Sequence, residues 1–227
     1  MTGLVVGSIA PDFEYFMRLN GDSYYSHSWL GILYFNLPLS ILLAFLFHVI
    51  VRNIMIDNLP GFLARRFVAF KDLDWPMHFK NNFWVVIISM MVGAASHLIT
   101  DDFTHAHTAA VDMLGILRKH IHIGGKHLPV YIFLQYLGTV IGGLIIIYAV
   151  FQLPAAKHYI NNRPILPFWI CVSAIMVMVV MLKYYFGHFP RKFDDRIVIL
   201  VSGWLCGLLV TSFFQKYVFT KRGLPAV

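Results

Sequence analysis

The chain is poor in charge. Asp, Glu, Lys and Arg make up 13% of its 227 residues, about half the ~25% of an ordinary soluble domain. Acidic residues are the scarcest, 11 against 18 Lys and Arg. The two cysteines, Cys171 and Cys206, stand inside apolar runs. No disulfide framework is expected from them, and both read as small buried apolar residues. Internal repeats and low-complexity stretches are missing as well. What is there is apolar: 59% of residues, with a mean hydropathy of +0.69. A soluble fold of this size keeps too much surface in water to hide that fraction. The composition excludes a soluble globular enzyme, a disordered chain and a nucleic-acid module. It leaves an all-α integral membrane protein whose first partner is the lipid bilayer.

Five runs are long and apolar enough for the roughly 17–25 helical residues that cross a bilayer. They are Trp29–Val51, Phe83–Thr100, Val130–Leu153, Ile165–Leu182 and Arg196–Phe214. They are continuous and not alternating, so helices are expected over a barrel. The whole chain, 1–227, reads as a single integral membrane domain. Met1–Ala10 is apolar but too short to span and lacks the basic start of a signal peptide. It reads as the tail of a helix, with a start upstream of Met1 expected. Leu59–Phe70, with Arg65 and Arg66 among Leu, Phe and Val, fits a short basic interfacial helix.

The net charge of +7 is topological here, because basic residues flank the spans. One side carries Arg18, Arg118, Lys119, Lys126, Lys183, Arg191 and Lys192. The other carries Arg52, Arg65, Arg66, Lys71, Lys80, Lys157, Arg163, Lys216, Lys221 and Arg222. The positive-inside rule puts the second side in the cytoplasm. Gly138/Gly142 and Gly203/Gly207 form G-x-x-x-G pairs, and Gly93-Ala94-Ala95-Ser96 is a further small patch. These suit close helix packing within the chain, with a homo-oligomer as the alternative.

The chemistry-bearing residues gather at membrane borders. Asp12 and Glu14 follow Pro11, and an extended segment would point both the same way. His27 lies between Ser26 and Ser28, just before the first span. His97, Asp101 and His105 fall at i, i+4 and i+8, one face of a helix. With five spans, all of these groups land on the same, less basic side. Imidazole and carboxylate together suit Zn²⁺ or another first-row divalent ion. Ionisable residues at this depth also serve proton handling. A single site requires His27 to lie within about 8 Å of the 97/101 pair, given ligand bonds of roughly 2 Å. His48 reads as interfacial on the other side. His120, His122 and His127 around Gly124-Gly125 read as a flexible polar loop, and His188 as a supporting residue at most.

The stretches GLVVGSIAPDFEYFMRL, YSHSWLGILYFNLPL, LLAFLFHVIVRN and VGAASHLITDDFTH resemble the bacterial multi-pass membrane proteins grouped as domain of unknown function 4184. The P-D-x-E, H-S and S-H-x-x-x-D motifs are more distantly similar to inner-membrane metal-dependent hydrolases and zinc-dependent phospholipase C. That resemblance implies a metal, zinc first, held by Asp12, His27, His97 and Asp101. Glu14 is then the expected general base, with Asp102 and His105 orienting the ligands from behind. It further implies a bacterial inner-membrane hydrolase of phosphodiester or lipid-linked substrates, and the count of basic residues puts its site on the non-cytoplasmic side. Members of the family start earlier, with a segment that carries another histidine. The alternative is a non-enzymatic membrane protein, transporter-like or structural.

Overall fold

The computed structural model describes residues 1–157, 164–187 and 193–219. The expected helical bundle is what it contains. Helix α1 (Thr2–Arg18) is followed by a loop and then α2 (Ile32–Asp57). Two stretches of α2, Ile32–Asn36 and Leu46–Val51, are wound as π-helix, a form that marks special sites in helices. Two short helices come next, α3 (Gly61–Phe67) and α4 (Trp75–Asn81). Helix α5 (Phe83–Thr104) leads to a short α6 (Ala109–Met113). A hairpin, β1 (His120–Ile123) and β2 (Lys126–Pro129), precedes α7 (Val130–Gln152). Helices α8 (Leu166–Phe186) and α9 (Phe193–Phe214), with a π-helical continuation over Gln215–Phe219, complete the described chain. Five helical segments among the described residues are long and apolar enough to cross a membrane, those built on α2, α5, α7, α8 and α9. These are the five runs read from the sequence, with ends displaced by a few residues.

Helix α1 runs through Ala10-Pro11-Asp12 without a break, so the extended reading of this segment is wrong. Proline inside a helix removes one backbone bond, and helices among other helices tolerate that loss. The contact between α1 and α5 explains why this one forms. A Cβ on Gly7 would run into the carbonyl of Met90, and one on Gly93 into the carbonyl of Leu4. The two backbones touch through small residues, as small-residue packing in lipid requires. Val6, Val86 and Met90 are buried with Ala44 and Trp75 in one core cluster. The small patch before His97 is therefore an intrachain seam.

Gly203 and Gly207 sit against the carbonyls of Met176 and Val172 on α8, packing within the chain. Gly138 and Gly142 meet open space, and no residue of α7 is buried. The far end of α7 is held by Arg66, which donates to the carbonyls of Phe151 (2.6 Å) and Leu153.

Three sequence readings need correction. The 120–129 segment is a hairpin, because Gly124 and Gly125 take φ of 55° and 78°, the backbone a tight two-residue turn demands. His48 is buried instead of interfacial. It stacks on Trp75 at 4.4 Å and takes a hydrogen bond from Arg52 Nη1 at 2.9 Å. Cys206 is exposed and Cys171 half-buried, both with free thiols. His188 lies outside the described residues.

Candidate metal centre

Ser8, Asp12 and Tyr15 recur at i, i+4 and i+7 on α1, one helical face. That face meets α5 near His97. His97 Nδ1 lies 2.7 Å from the Ser8 carbonyl oxygen. A carbonyl only accepts, so Nδ1 carries the proton and donates. In the neutral ring Nε2 is then a lone pair. It is buried and makes no hydrogen bond. Yet it faces Asp101 Oδ2 at 3.1 Å and Asp12 Oδ1 at 3.4 Å.

His27 repeats the pattern from the loop between α1 and α2. Its Nδ1 lies 2.8 Å from Ser26 Oγ, and the Ser26 backbone N–H donates to Glu14 Oε2 at 2.8 Å. The serine hydroxyl thus occupies Nδ1 and leaves the other ring nitrogen for the cluster. Its Nε2 is left facing Asp101 Oδ2 at 3.4 Å and Asp12 Oδ1 at 3.6 Å. The two rings meet edge to face, centroids 5.6 Å apart, inside the limit set for one site.

Four separations of 3.1, 3.4, 3.4 and 3.6 Å thus join two imidazole nitrogens to two carboxylate oxygens. A tetrahedral ion with bonds of about 2.1 Å has ligand-to-ligand edges of about 3.4 Å. The ligand atoms of Asp12, His27 and His97 all lie within 4.8 Å of one another, and Asp101, close to both rings, falls outside that mutual limit. Two lone pairs pointed at two carboxylates repel unless protons on the rings or a metal ion among the four groups relieve them. The donor set and its unpaired buried nitrogen therefore fit a divalent ion.

Electrostatics agree for the groups outside the spanning helices. Burial works against charge on Asp12, but the facing rings of His27 and His97 overcome it and hold its carboxyl down at about 2. Burial likewise works against a charged His27, and Asp101 and Asp12 outweigh it, raising its pKa. The cluster holds positive charge strongly, whether proton or metal ion.

Glu14 does not join this cluster. Two residues along a helix from Asp12, it faces another way, and only 2% of it is exposed. It accepts the backbone N–H groups of Tyr24, Tyr25 and Ser26 at 2.9, 3.0 and 2.8 Å and Arg18 Nε at 2.7 Å. Burial opposes its charge, and these donors still bring its carboxyl to about 2. A carboxylate so engaged is a clamp on the loop carrying His27, in place of the expected base. Asp102 likewise turns from the ligands. It accepts Ala110 N at 3.2 Å and its carbonyl takes the Thr108 hydroxyl, tying α5 to α6. His105 is where the spacing placed it, its Nδ1 3.5 Å from Asp101 Oδ1.

Two participants escaped sequence reasoning. Ser26, fully buried, links Glu14 to His27. Tyr15 brings its hydroxyl to 3.3 Å from His27 Nε2. The i+3 spacing of Tyr15 from Asp12 was the one available signal for it.

The fold and cluster define a class: a multi-spanning helical membrane protein with a His₂Asp₂ cluster where α1, α5 and the 19–31 loop meet. A family model described as a domain of unknown function (DUF4184) matches residues 1–213, and the chain belongs to that family. No curated protein and no solved structure matches it.

Proposed function

We propose that this chain is a membrane-embedded, metal-dependent hydrolase of the bacterial inner membrane. Asp12, His27, His97 and Asp101 hold one divalent ion, zinc first among them. The observation that carries this is His97, whose Nδ1 is committed to the Ser8 carbonyl while its buried, unpaired Nε2 faces two carboxylates. An ion at such a place polarises a phosphoryl or acyl oxygen and lowers the pKa of water. The protein supplies the rest. Glu14 anchors the loop at Ser26, whose hydroxyl holds His27 Nδ1, and the Ser8 carbonyl sets the tautomer of His97. Both orient ligands as outer partners do at metal centres. Asp12 has the most exposed side chain of the four, at 43%, and only its Oδ1 faces the histidines. The motif resemblance to metal-dependent hydrolases points the same way, and the membrane border favours a phosphodiester or lipid-linked substrate.

Metal content of the detergent-purified protein tests the reading, measured beside His97→Ala and Asp101→Ala. One zinc or manganese per chain, lost in both variants, is the expected result. Chelator-sensitive release of phosphate esters from lipid substrates is the second readout. A wild-type protein that takes up no divalent ion overturns the hydrolase and leaves a non-enzymatic membrane protein.

A further inference from the structure

Tyr15 is the hydroxyl the ligand set does not use. Three oxygens converge on the single nitrogen Nε2 of His27: Asp101 Oδ2 at 3.4 Å, Asp12 Oδ1 at 3.6 Å and Tyr15 Oη at 3.3 Å. One imidazole nitrogen forms one bond. Two of those oxygens belong to carboxylates able to share an ion with it, and the third is a phenol. Ser23 Oγ donates to Tyr15 Oη from 3.5 Å, so the lone-pair side of the phenol is turned to Ser23. Its own proton is left for the His27 side. Once His27 Nε2 binds an ion, that proton has lost its acceptor and still points into the cluster. Its new acceptor is whatever oxygen enters there from the open side, where Asp12 and His105 are exposed at 43% and 49%. A hydrogen bond strengthens with charge on the accepting oxygen, which selects anionic oxygen over water or a neutral carbonyl.

We propose that Tyr15 donates its phenolic hydrogen bond to an oxyanion, a phosphate or phosphoryl group, bound at the Asp12–His27–His97–Asp101 cluster. This rests on the reading of the cluster as a divalent-ion site. The oxyanion comes either from a lipid head group or from free phosphate, and the chemistry at Tyr15 is the same for both.

The test uses full-length, zinc-loaded protein in phosphatidylcholine nanodiscs, with inorganic phosphate as the probe. Zinc stoichiometry and phosphate Kd are measured for wild type and Tyr15→Phe. The expected result is equal zinc in both and a phosphate Kd about tenfold or more weaker in Tyr15→Phe, the scale of one charge-assisted bond. Equal phosphate affinities overturn the proposal. Loss of zinc from Tyr15→Phe also overturns it, since Tyr15 would then be a ligand. Absence of zinc from the wild type is a different failure, that of the ion site itself. Nanodiscs containing phosphatidate separate the sources: competition with phosphate in the wild type alone marks the head group, and no competition marks the free anion. Competition equal in wild type and Tyr15→Phe counts against the proposal.

Discussion

His97 donates from Nδ1 to the main-chain carbonyl of Ser8 at 2.7 Å, and this bond decides which nitrogen faces Asp12 and Asp101. Because the acceptor is backbone, Ser8→Ala leaves zinc affinity unchanged. Nitrogen-15 NMR of histidine-labelled protein reads the tautomer directly. Zinc should shift Nε2 of His27 and His97 while both Nδ1 atoms stay protonated. A zinc-dependent change at Nδ1 of His97 would rule out this arrangement.

Glu14 contributes to stability against acid. Its folded pKa of about 2 lies below the ordinary 4.5, so its contribution is fully present above pH 4.5 and is lost as pH falls toward 2. A shift of that size corresponds to stability on the order of 3 kcal/mol. Glu14→Gln should lower the detergent melting temperature at pH 7. The gap to wild type should close between pH 4.5 and 2. A gap that does not narrow with acid would show the loss to be one of shape and not of charge.

Glycines on two helices should behave oppositely. Gly7→Ala forces α1 off α5 and should cost about 1–3 kcal/mol, the range for overpacking, with weakened zinc binding. Gly142→Ala adds a methyl to open space and should be neutral or stabilising by up to about 1 kcal/mol. Melting curves and zinc titration of the two variants make the comparison.

Arg66 caps α7 through the carbonyls of Phe151 and Leu153. Hydrogen bonds from a charged group are each worth about 1.5–3 kcal/mol. Arg66→Ala should speed amide exchange in the last turns of α7 and leave zinc content unaltered. Unchanged exchange there would mean the cap contributes nothing.

The spans were legible because each is a long apolar run, and lipid permits a run of that kind little but a helix. The site was legible as far as helical spacing reached: His97, Asp101 and His105 sit where i, i+4 arithmetic put them. The convergence of Asp12 and His27 followed from counting spans. The failures have different causes. The segment after Pro11 reads as extended in the sequence, and the seam of Gly7 against Met90 that stabilises a continuous α1 is a contact between distant segments. Once α1 is a helix, Asp12 and Glu14 part company, and the carboxylate expected to act as base becomes a loop anchor. Ser26 and Tyr15 went unnoticed because their roles depend on which way a hydroxyl points. The hairpin at Gly124-Gly125 was visible in principle from the glycine pair alone.

The seam between α1 and α5 has a consequence for how the site lives in its surroundings. Bilayers differ in thickness, and spanning helices answer by tilting and repacking their side chains. Where Gly7 and Gly93 bring two main chains together, there is no side-chain layer to repack. Asp12 and His97 are spaced by the fixed dimensions of the peptide, and the two helices must tilt as one body. Lipid composition can rearrange the outer helices, α7 above all, while the spacing of Asp12 from His97 and Asp101 stays as it is.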